Sequence, residues 1–307
     1  MGKVTHCRCG ARRLQFAYQW AYISSSMMRP ISAQASVRRP AVAGFFYPAD
    51  PAELRAVVSE HLRQAPAPRA ARPKALIVPH AGYVYSGRVA GCAYAQLADR
   101  ERPPRRIVLI GPSHRVYLRG AAVPQADAFE TPLGAIEIDR ALRARLLEGG
   151  SVIQSDRPHA LEHSLEVQLP FLQSIFRKFT LLPIVLGDAP ADFTASLLAE
   201  VWDGEDTLVL ASSDLSHYHR YETAQQIDAA TSAAILRLQS NLSGDQACGA
   251  VAINGLLRLA PEKGLAIAEI ARCNSGDTAG DRSRVVGYGA YALYESREDR
   301  APGARPL

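Results

Sequence analysis

Three short apolar runs that end in the same way are the strongest constraint on what this chain can fold into. The runs at residues 75–78, 107–110 and 207–211 are each followed within a few residues by a histidine, namely His80, His114 and His217. Short apolar runs bounded by Gly, Pro and Ser favour buried strands. Because ligands of open α/β sheets bind beyond the carboxyl ends of the strands, we expect the three imidazoles to converge on one pocket.

Predicted helices alternate with these strands along the chain. A first helix begins at Pro51 behind the capping residue Asp50, and a fourth strand is predicted at 181–186. Further helices are predicted at 87–97, 140–147, 161–176, 193–202 and 221–238. This alternation indicates an α/β fold with a mostly parallel central sheet and helices on both faces.

The motifs extend across most of the chain, which favours a single domain at residues 37–296. Residues 1–36 are predicted to be a disordered basic tail, and residues 297–307 a flexible C-terminal tail. The first segment has the composition of a mitochondrial transit peptide, or of an over-extension upstream of a true start at Met27 or Met28. We favour the over-extension, because Ala and Arg are abundant throughout the sequence.

The charge of the protein is concentrated in its first residues. The formal net charge is +5, but residues 1–49 hold seven Lys or Arg and no Asp or Glu. The remaining residues therefore hold 28 basic side chains (35 minus 7) and 30 acidic ones, a net charge of −2. We find no basic stripe with interleaved aromatic residues, and we expect no nucleic-acid partner.

Cysteine usage and hydropathy predict a cytoplasmic protein without a membrane partner. The five cysteines are odd in number and irregularly spaced, which is not typical of a disulfide framework. A reducing compartment fits this pattern. No apolar run reaches the roughly 18 residues that a membrane-spanning helix needs.

Metal binding is the first chemical interpretation of the strand-end histidines, because neutral imidazole is the commonest metal ligand in proteins. Cys248 precedes an apolar helix at 251–259. A thiol at a helix N-terminus has a lowered pKa, which suits a metal ligand or a nucleophile. The alternative is that Cys248 is a small buried apolar residue.

A competing motif lies between the second and third histidine-bearing strands. His159, Glu162 and His163 match the H-x-x-E-H string of inverted zinc peptidases, and predicted helical spacing places His159, His163 and Glu166 on one face. We interpret the string as a chance match, because a metallo-hydrolase site here would leave the strand-end histidines unexplained.

Six ordered motifs together resemble the Memo family, whose bacterial and archaeal members are called AmmeMemoRadiSam system protein B. They are RPAVAGFFYP at 39–48, PHAGYVYSG at 79–87, GPSH at 111–114, EHSLEVQLPFL at 162–172, SSDLSH at 212–217 and GYGAYAL at 287–293. The Cys248–Gly249 pair also fits. The resemblance covers residues 39–293, nearly everything except the tails.

The resemblance implies a fold similar to that of class III extradiol dioxygenases. It implies that His80, His114 and Cys248 are metal ligands, and that Asp214, His217 and His163 line the same pocket. Fe(II) is the first expectation for the metal. Because a thiolate replaces the dioxygenase carboxylate, Cu and Zn are alternatives.

Two functions follow from this resemblance as hypotheses. The first is a non-haem iron, dioxygenase-like oxidoreductase of unknown substrate, in which His163 or His217 acts as general acid or base and Asp214 orients a histidine. The second is a non-catalytic binding or adaptor module for a small molecule or peptide. The family's system name implies radical S-adenosylmethionine and AmmeMemo-domain proteins as partners.

Overall fold

The computed structural model of the protein describes residues 36–69, 71–97 and 103–296. Residues 1–35 of the predicted basic tail and the whole predicted C-terminal tail lie outside the described residues. Within the described ranges no helix is long and apolar enough to cross a membrane. Residues 36–296 belong to one compact unit.

Short strands and helices alternate along the described chain. The strands are β1 Val37–Arg38, β2 Pro73–Val78, β3 Arg106–Pro112, β4 Ala121–Val123, β5 Ala128–Thr131, β6 Gly134–Glu137, β7 Ile153–Gln154, β8 Thr180–Leu186, β9 Thr207–Ser212, β10 His217–His219, β11 Leu265–Asn274 and β12 Val285–Glu295. The helices are α1 Pro51–Arg63, α2 Tyr83–Ala95, α3 Arg140–Glu148, α4 Arg157–Ala160, α5 Leu169–Ile175, α6 Ala191–Val201, α7 Tyr221–Leu236 and α8 Ala250–Leu259.

Nine strands form one mixed sheet. Its order is β10-β12-β2-β9-β3-β8-β4-β7, with β11 paired to β12. The central strands β2, β9, β3 and β8 are parallel to one another, whereas β12 and β4 join this centre in antiparallel pairs. The α/β fold is thus confirmed, and the parallel arrangement holds at the centre of the sheet. A second sheet of three strands has the order β1-β5-β6.

The two faces of the central sheet are both buried. Ile77 and Ile110 pack into one apolar cluster with α6 and α8, while their neighbours Leu76 and Leu109 pack into the other with α1, α2 and α5. Alternate residues of a strand point to opposite faces, so a strand covered on both sides is apolar at every position. This explains the uninterrupted apolar runs in the sequence.

The segment at 161–176 does not form the continuous helix that its spacing predicts. A four-residue helix α4 is followed by turns, a 3-10 turn at Glu166–Gln168 and then α5. Consequently His159, His163 and Glu166 do not share a helical face. The chain turns here because its carboxylates bond to distant groups instead of lying on a solvated helix surface.

Glu166 is the clearest example of such a bond. Its carboxylate is fully buried and accepts hydrogen bonds from the Arg38 guanidinium at 2.7 Å and the Tyr47 hydroxyl at 2.6 Å. The backbone N–H groups of Ala41 and Val42 also donate to it, at 2.8 and 2.9 Å. Glu166 therefore fixes the segment 38–47 against the body of the domain.

Replacing Glu166 by Ala is expected to lower the free energy of unfolding by about 3–5 kcal/mol, because it leaves the buried Arg38 charge and three further donors without their acceptor. Urea unfolding followed by circular dichroism measures this loss. Asp192→Ala is the matched control, since Asp192 pairs with Arg258 at the same 2.7 Å but on the surface. Equal, small effects of both substitutions would contradict the role given to Glu166.

Candidate metal centre

A cavity of about 440 Å³ lies at the carboxyl ends of β2, β3 and β9. His80 comes two residues after β2, His114 two residues after β3, and Asp214 two residues after β9. The cavity is lined by His80, His114, Arg115, His163, Asp214, His217, Tyr218, His219, Gly244, Asp245 and Cys248. The six residues that the family resemblance implied for the site, namely His80, His114, His163, Asp214, His217 and Cys248, all line this one cavity.

Three imidazoles come closest together in it. His80, His114 and His163 each offer a ring nitrogen, and these nitrogens lie within 4.8 Å of one another. The ring centroids are 5.2 Å apart for His80 and His114, 5.3 Å for His80 and His163, and 4.7 Å for His114 and His163. This group could hold a metal ion.

Hydrogen bonds around Ser212 define the tautomer of His80. The Ser212 hydroxyl donates to the Ser164 carbonyl at 2.6 Å and accepts from the Gln168 amide at 2.8 Å. Its hydrogen is therefore engaged, so the contact of 3.0 Å between Ser212 Oγ and His80 Nδ1 requires Nδ1 to be the donor. The lone pair of His80 is consequently on Nε2.

Glu162 fixes the tautomer of His114. Its Oε1 lies 2.9 Å from His114 Nδ1, and its Oε2 accepts the His114 backbone N–H at 2.6 Å. Burial opposes ionisation of Glu162, but the hydrogen bonds from His114 and Ser164 outweigh it and lower its pKa to about 2. The ionised carboxylate holds the proton of His114 on Nδ1, which again leaves Nε2 with a lone pair.

His163 reaches the cavity from the turn after α4, so it lies in the pocket that the family resemblance implied, but not on the helix that the spacing predicted. Its ring packs against Phe46 at a centroid distance of 4.6 Å. Burial lowers its pKa to about 4, although Glu162 opposes this shift. Nδ1 of His163 is buried and makes no hydrogen bond, even though Glu162 Oε1 lies 3.3 Å away. The ring is thus a neutral imidazole with an unpaired nitrogen.

Burial and the neighbouring histidine rings set the charge state of His80. Burial lowers the pKa of His80 well below its ordinary value, and the neighbouring rings of His114, His163 and His217 lower it further. At neutral pH the rings of His80 and His163 are therefore uncharged and have available lone pairs. Such a donor set fits a transition-metal ion, because metal ligation requires the neutral imidazole.

Asp214 supports the backbone of the site. Its Oδ1 accepts the N–H groups of His80 at 2.7 Å and Ala81 at 3.3 Å. The sequence suggested that Asp214 orients a histidine ring, but here it holds the His80 main chain, and Glu162 is the carboxylate that orients a ring. Burial raises the pKa of Asp214 to about 7.

Cys248 is part of the same cavity. Its Sγ lies 3.2 Å from His80 Nε2, the nitrogen that carries the lone pair. A Cβ on the following Gly249 would meet Ser212 O at 2.5 Å, so glycine is required for the Cys248 loop to approach β9 this closely. In the protein alone, burial raises the pKa of Cys248 to about 12, which is opposite to the shift expected from its position before α8.

His217 and Tyr218 form the rim of the cavity. His217 lines it without joining the group of three close imidazoles. Tyr218 has φ +63°, a backbone conformation that is uncommon for residues other than glycine, and its side chain is 64% exposed. The guanidinium of Arg284 lies 5.1 Å from the centre of its ring.

His159 lies outside this group. It is buried, its Nε2 bonds to the Ala122 carbonyl at 3.1 Å, and its ring packs against Phe129. The two histidines of the H-x-x-E-H string therefore do not lie in one site, which supports the interpretation of the string as a chance match.

Fold and site together define an α/β protein with a histidine- and cysteine-lined pocket at the carboxyl edge of a parallel sheet centre. Residues 38–292 match the family model described as Memo-like protein. The chain is 39% identical over 268 residues to a MEMO1 family protein of Aquifex aeolicus, with 82% of this chain and 97% of the relative covered. A MEMO1 family protein of Thermoplasma volcanium is 36% identical, with 82% and 96% covered.

A relative of lower sequence identity also matches the chain over nearly its whole length. A MEMO1 family protein of Nitrosopumilus maritimus is 33% identical over 272 residues, with 83% of this chain and 98% of the relative covered. The chain belongs to the Memo-like family.

Replacing Glu162 by Gln should weaken metal binding about 10- to 100-fold, because the amide keeps the shape of the side chain but loses the charge that holds the His114 proton on Nδ1. A titration of the purified protein with Zn²⁺ against a competing chelator measures this. Glu53→Gln, an exposed substitution on α1, should bind like the wild type. Equal affinities of all three proteins would show that Glu162 does not act on the ligand.

The pH dependence of Zn²⁺ affinity should reveal whether Cys248 is a ligand. A thiol must lose its proton to bind, so affinity should rise about tenfold per pH unit between pH 6 and 8, since this range lies below the pKa of Cys248. His80 and His163 release no proton there, because burial lowers their pKa values. Cys248→Ser should therefore bind more weakly and with a smaller slope.

Asp214 also titrates in this range, but it does so in both proteins. The difference between the two slopes therefore belongs to Cys248. Identical slopes and affinities would show that Cys248 is a packing residue.

Proposed function

We propose that this protein is a metal-dependent oxidoreductase whose ion is held by His80, His114 and Cys248. The observation that carries the proposal is the fixed tautomer of both rings. Ser212 and Glu162 engage the two Nδ1 atoms, so both Nε2 lone pairs remain available, and Cys248 Sγ lies 3.2 Å from one of them.

The chemical types of the three proposed ligands indicate which metal ions fit the site. Two imidazoles and a thiolate suit Fe(II), Cu and Zn, and we favour Fe(II) because of the resemblance to extradiol dioxygenases. Fe(II) with open coordination positions would supply activation of O₂. The cavity of about 440 Å³ leaves room for a small molecule beside the ligands.

The remaining polar groups have roles that do not require direct ligation. His163 is neutral at pH 7 and lines the cavity, so it is suited to accept a proton from a bound substrate. His217 lines the same cavity and is a second candidate for acid–base work. Asp214 holds the His80 backbone in place.

Replacing His80 or His114 by Ala should abolish stoichiometric metal binding while leaving the far-ultraviolet circular dichroism spectrum close to wild type, because both residues lie beyond the hydrogen-bonded strands. Mass spectrometry of anaerobically purified, Fe(II)-loaded protein measures the metal. His219→Ala removes an imidazole from the rim and should retain the ion. Full metal content in both the His80 and His114 variants would overturn the proposed site.

His163→Ala separates ligation from catalysis. The proposal expects this variant to keep the metal and to lose O₂ consumption with catechol-type compounds. Loss of the metal would make His163 a ligand instead. Stoichiometric metal in the wild type with no O₂ consumption for any tested compound would argue against the oxidoreductase.

A binding or adaptor role is the second candidate, and exposed aromatic residues near the cavity favour it. Tyr218 on the rim is 64% exposed, and Phe45, next to the Phe46 that packs on His163, is 88% exposed. Exposed apolar side chains around a pocket are typical of interaction sites. Radical S-adenosylmethionine and AmmeMemo-domain proteins are the partners to test, by co-purification with wild type and with a Phe45→Ser/Tyr218→Ser variant.

A further inference from the structure

A second cavity, of about 860 Å³, lies at the opposite end of the central strands from the metal centre. Arg106, the first residue of β3, and Thr180, the first residue of β8, both line it. One wall is β6 with the preceding Leu133, and the other is the segment 176–180. We call this cavity the β6 groove.

The groove exists because two strands diverge from a single point of pairing. Ile138 and Leu181 form an isolated parallel bridge, and the Asp139 N–H donates to the Leu181 carbonyl at 2.8 Å. Before this bridge, β6 pairs only with β5, and it is the edge strand of its sheet. The chain on the β8 side is not paired with it.

The unpaired side of β6 carries backbone donors that face the groove. The Ile138 N–H donates to the Asp127 carbonyl on the β5 side, whereas the Asp139 N–H donates to the Leu181 carbonyl on the β8 side. Because backbone groups alternate in direction along a strand, the N–H groups of Ala135 and Glu137 point the same way as that of Asp139. Neither makes a hydrogen bond within the described part of the chain.

The opposite wall is positively charged. Arg177 and Lys178 are exposed, line the groove and form no ion pair among the described residues. The side chain of Arg105 is 83% exposed, and its guanidinium makes a long contact of 3.7 Å with Asp206. The acidic Asp139 at the base is buried and pairs at 3.3 Å with Arg106, which also pairs with Asp203 at 2.6 Å. Glu137 is the carboxylate that is exposed in the lining.

Apolar side chains complete the groove. Leu133 and Phe179 are half-buried and lie on its two walls. An edge strand with two spaced backbone donors, a cationic wall and apolar contacts on both sides matches the requirements for strand addition by a peptide. We propose that the β6 groove binds an extended acidic polypeptide segment, which pairs with the β6 backbone and places its carboxylates beside Arg105, Arg177 and Lys178.

The charge of the groove favours a partner over the chain's own N-terminal segment. Residues 1–35 contain Lys and Arg but no Asp or Glu, so they lack the required charge. A phosphate-rich ligand would satisfy the cations but would leave the N–H groups of β6 without the regular spacing of acceptors that a strand provides. The proposal concerns a site separate from the metal centre and does not depend on the metal.

The test uses a fluorescein-labelled, N-acetylated peptide of alternating glutamate and valine, titrated with the full-length protein at low salt and followed by fluorescence anisotropy. In a strand, the glutamates of this peptide face one side and the valines the other. Arg177→Glu/Lys178→Glu should weaken saturable binding by at least about tenfold, since it reverses two charges of the wall. Arg55→Glu/Arg237→Glu changes the total charge equally at exposed positions elsewhere and should bind like wild type.

Two further probes separate strand addition from simple attraction of anions. One peptide is N-methylated at every glutamate, and a second is N-methylated at every valine. Each keeps the charge of the parent peptide but loses the backbone N–H donors along one edge of the strand. At least one of the two should bind about tenfold more weakly, because strand addition needs that edge. Tripolyphosphate should displace the peptide no better than the unlabelled peptide does.

Three results would overturn the proposal. The first is the absence of saturable binding of the unmethylated peptide. The second is equal binding by all three peptides, which would leave only non-specific electrostatic attraction. The third is displacement by tripolyphosphate at far lower concentration than by the unlabelled peptide, which would make the groove a phosphate site.

Discussion

The parallel pairing of β2, β9 and β3 is the constraint on which the candidate metal centre depends. β9 lies between the other two, so Ser212 at its end is placed between the loop that carries His80 and the loop that carries His114. Its hydroxyl bonds at once to the His80 ring, the Gln168 amide and the Ser164 carbonyl. One side chain thereby fixes a ring tautomer and ties the turn that supplies His163 to the sheet.

The same arrangement places polar groups where burial is costly. Asp214, Glu162 and Glu166 are nearly or fully inaccessible to solvent, and each is satisfied by backbone or side-chain donors. The close imidazoles differ from these carboxylates, because His163 Nδ1 is buried without a hydrogen bond and burial keeps the rings of His80 and His163 neutral. Polar groups that local bonding leaves unsatisfied are typical of functional sites.

The central strands could be predicted from the sequence because their signal is local. The predicted runs at 75–78, 107–110, 181–186 and 207–211 lie within β2, β3, β8 and β9. Buried strands are apolar at consecutive positions, and Gly, Pro or Ser marks their ends, so no knowledge of distant contacts is needed. Convergence of His80 and His114 then follows from the general topology of parallel sheets.

The rest of the site depends on contacts between distant residues. The helix predicted at 161–176 fails because Glu162 and Glu166 bond to groups 48 and 128 residues away in sequence, and spacing cannot show such partners. The role of Glu162 beside His114 was missed for the same reason, and only the family resemblance, not the residue spacing, implied that His163 lines the pocket of His80. The raised pKa of Cys248 reflects burial of the thiol and the nearby Asp214 carboxyl group, which together outweigh its position before α8.

The central claim is that one metal ion binds between the strand-end histidines. Anomalous diffraction from crystals of Fe(II)-loaded protein, recorded on both sides of the iron absorption edge, locates the ion directly. We predict one strong peak within bonding distance of Nε2 of His80, Nε2 of His114 and Sγ of Cys248. A fully loaded protein whose anomalous peak lies elsewhere, or that binds iron through Nδ1 of either ring, would contradict this account.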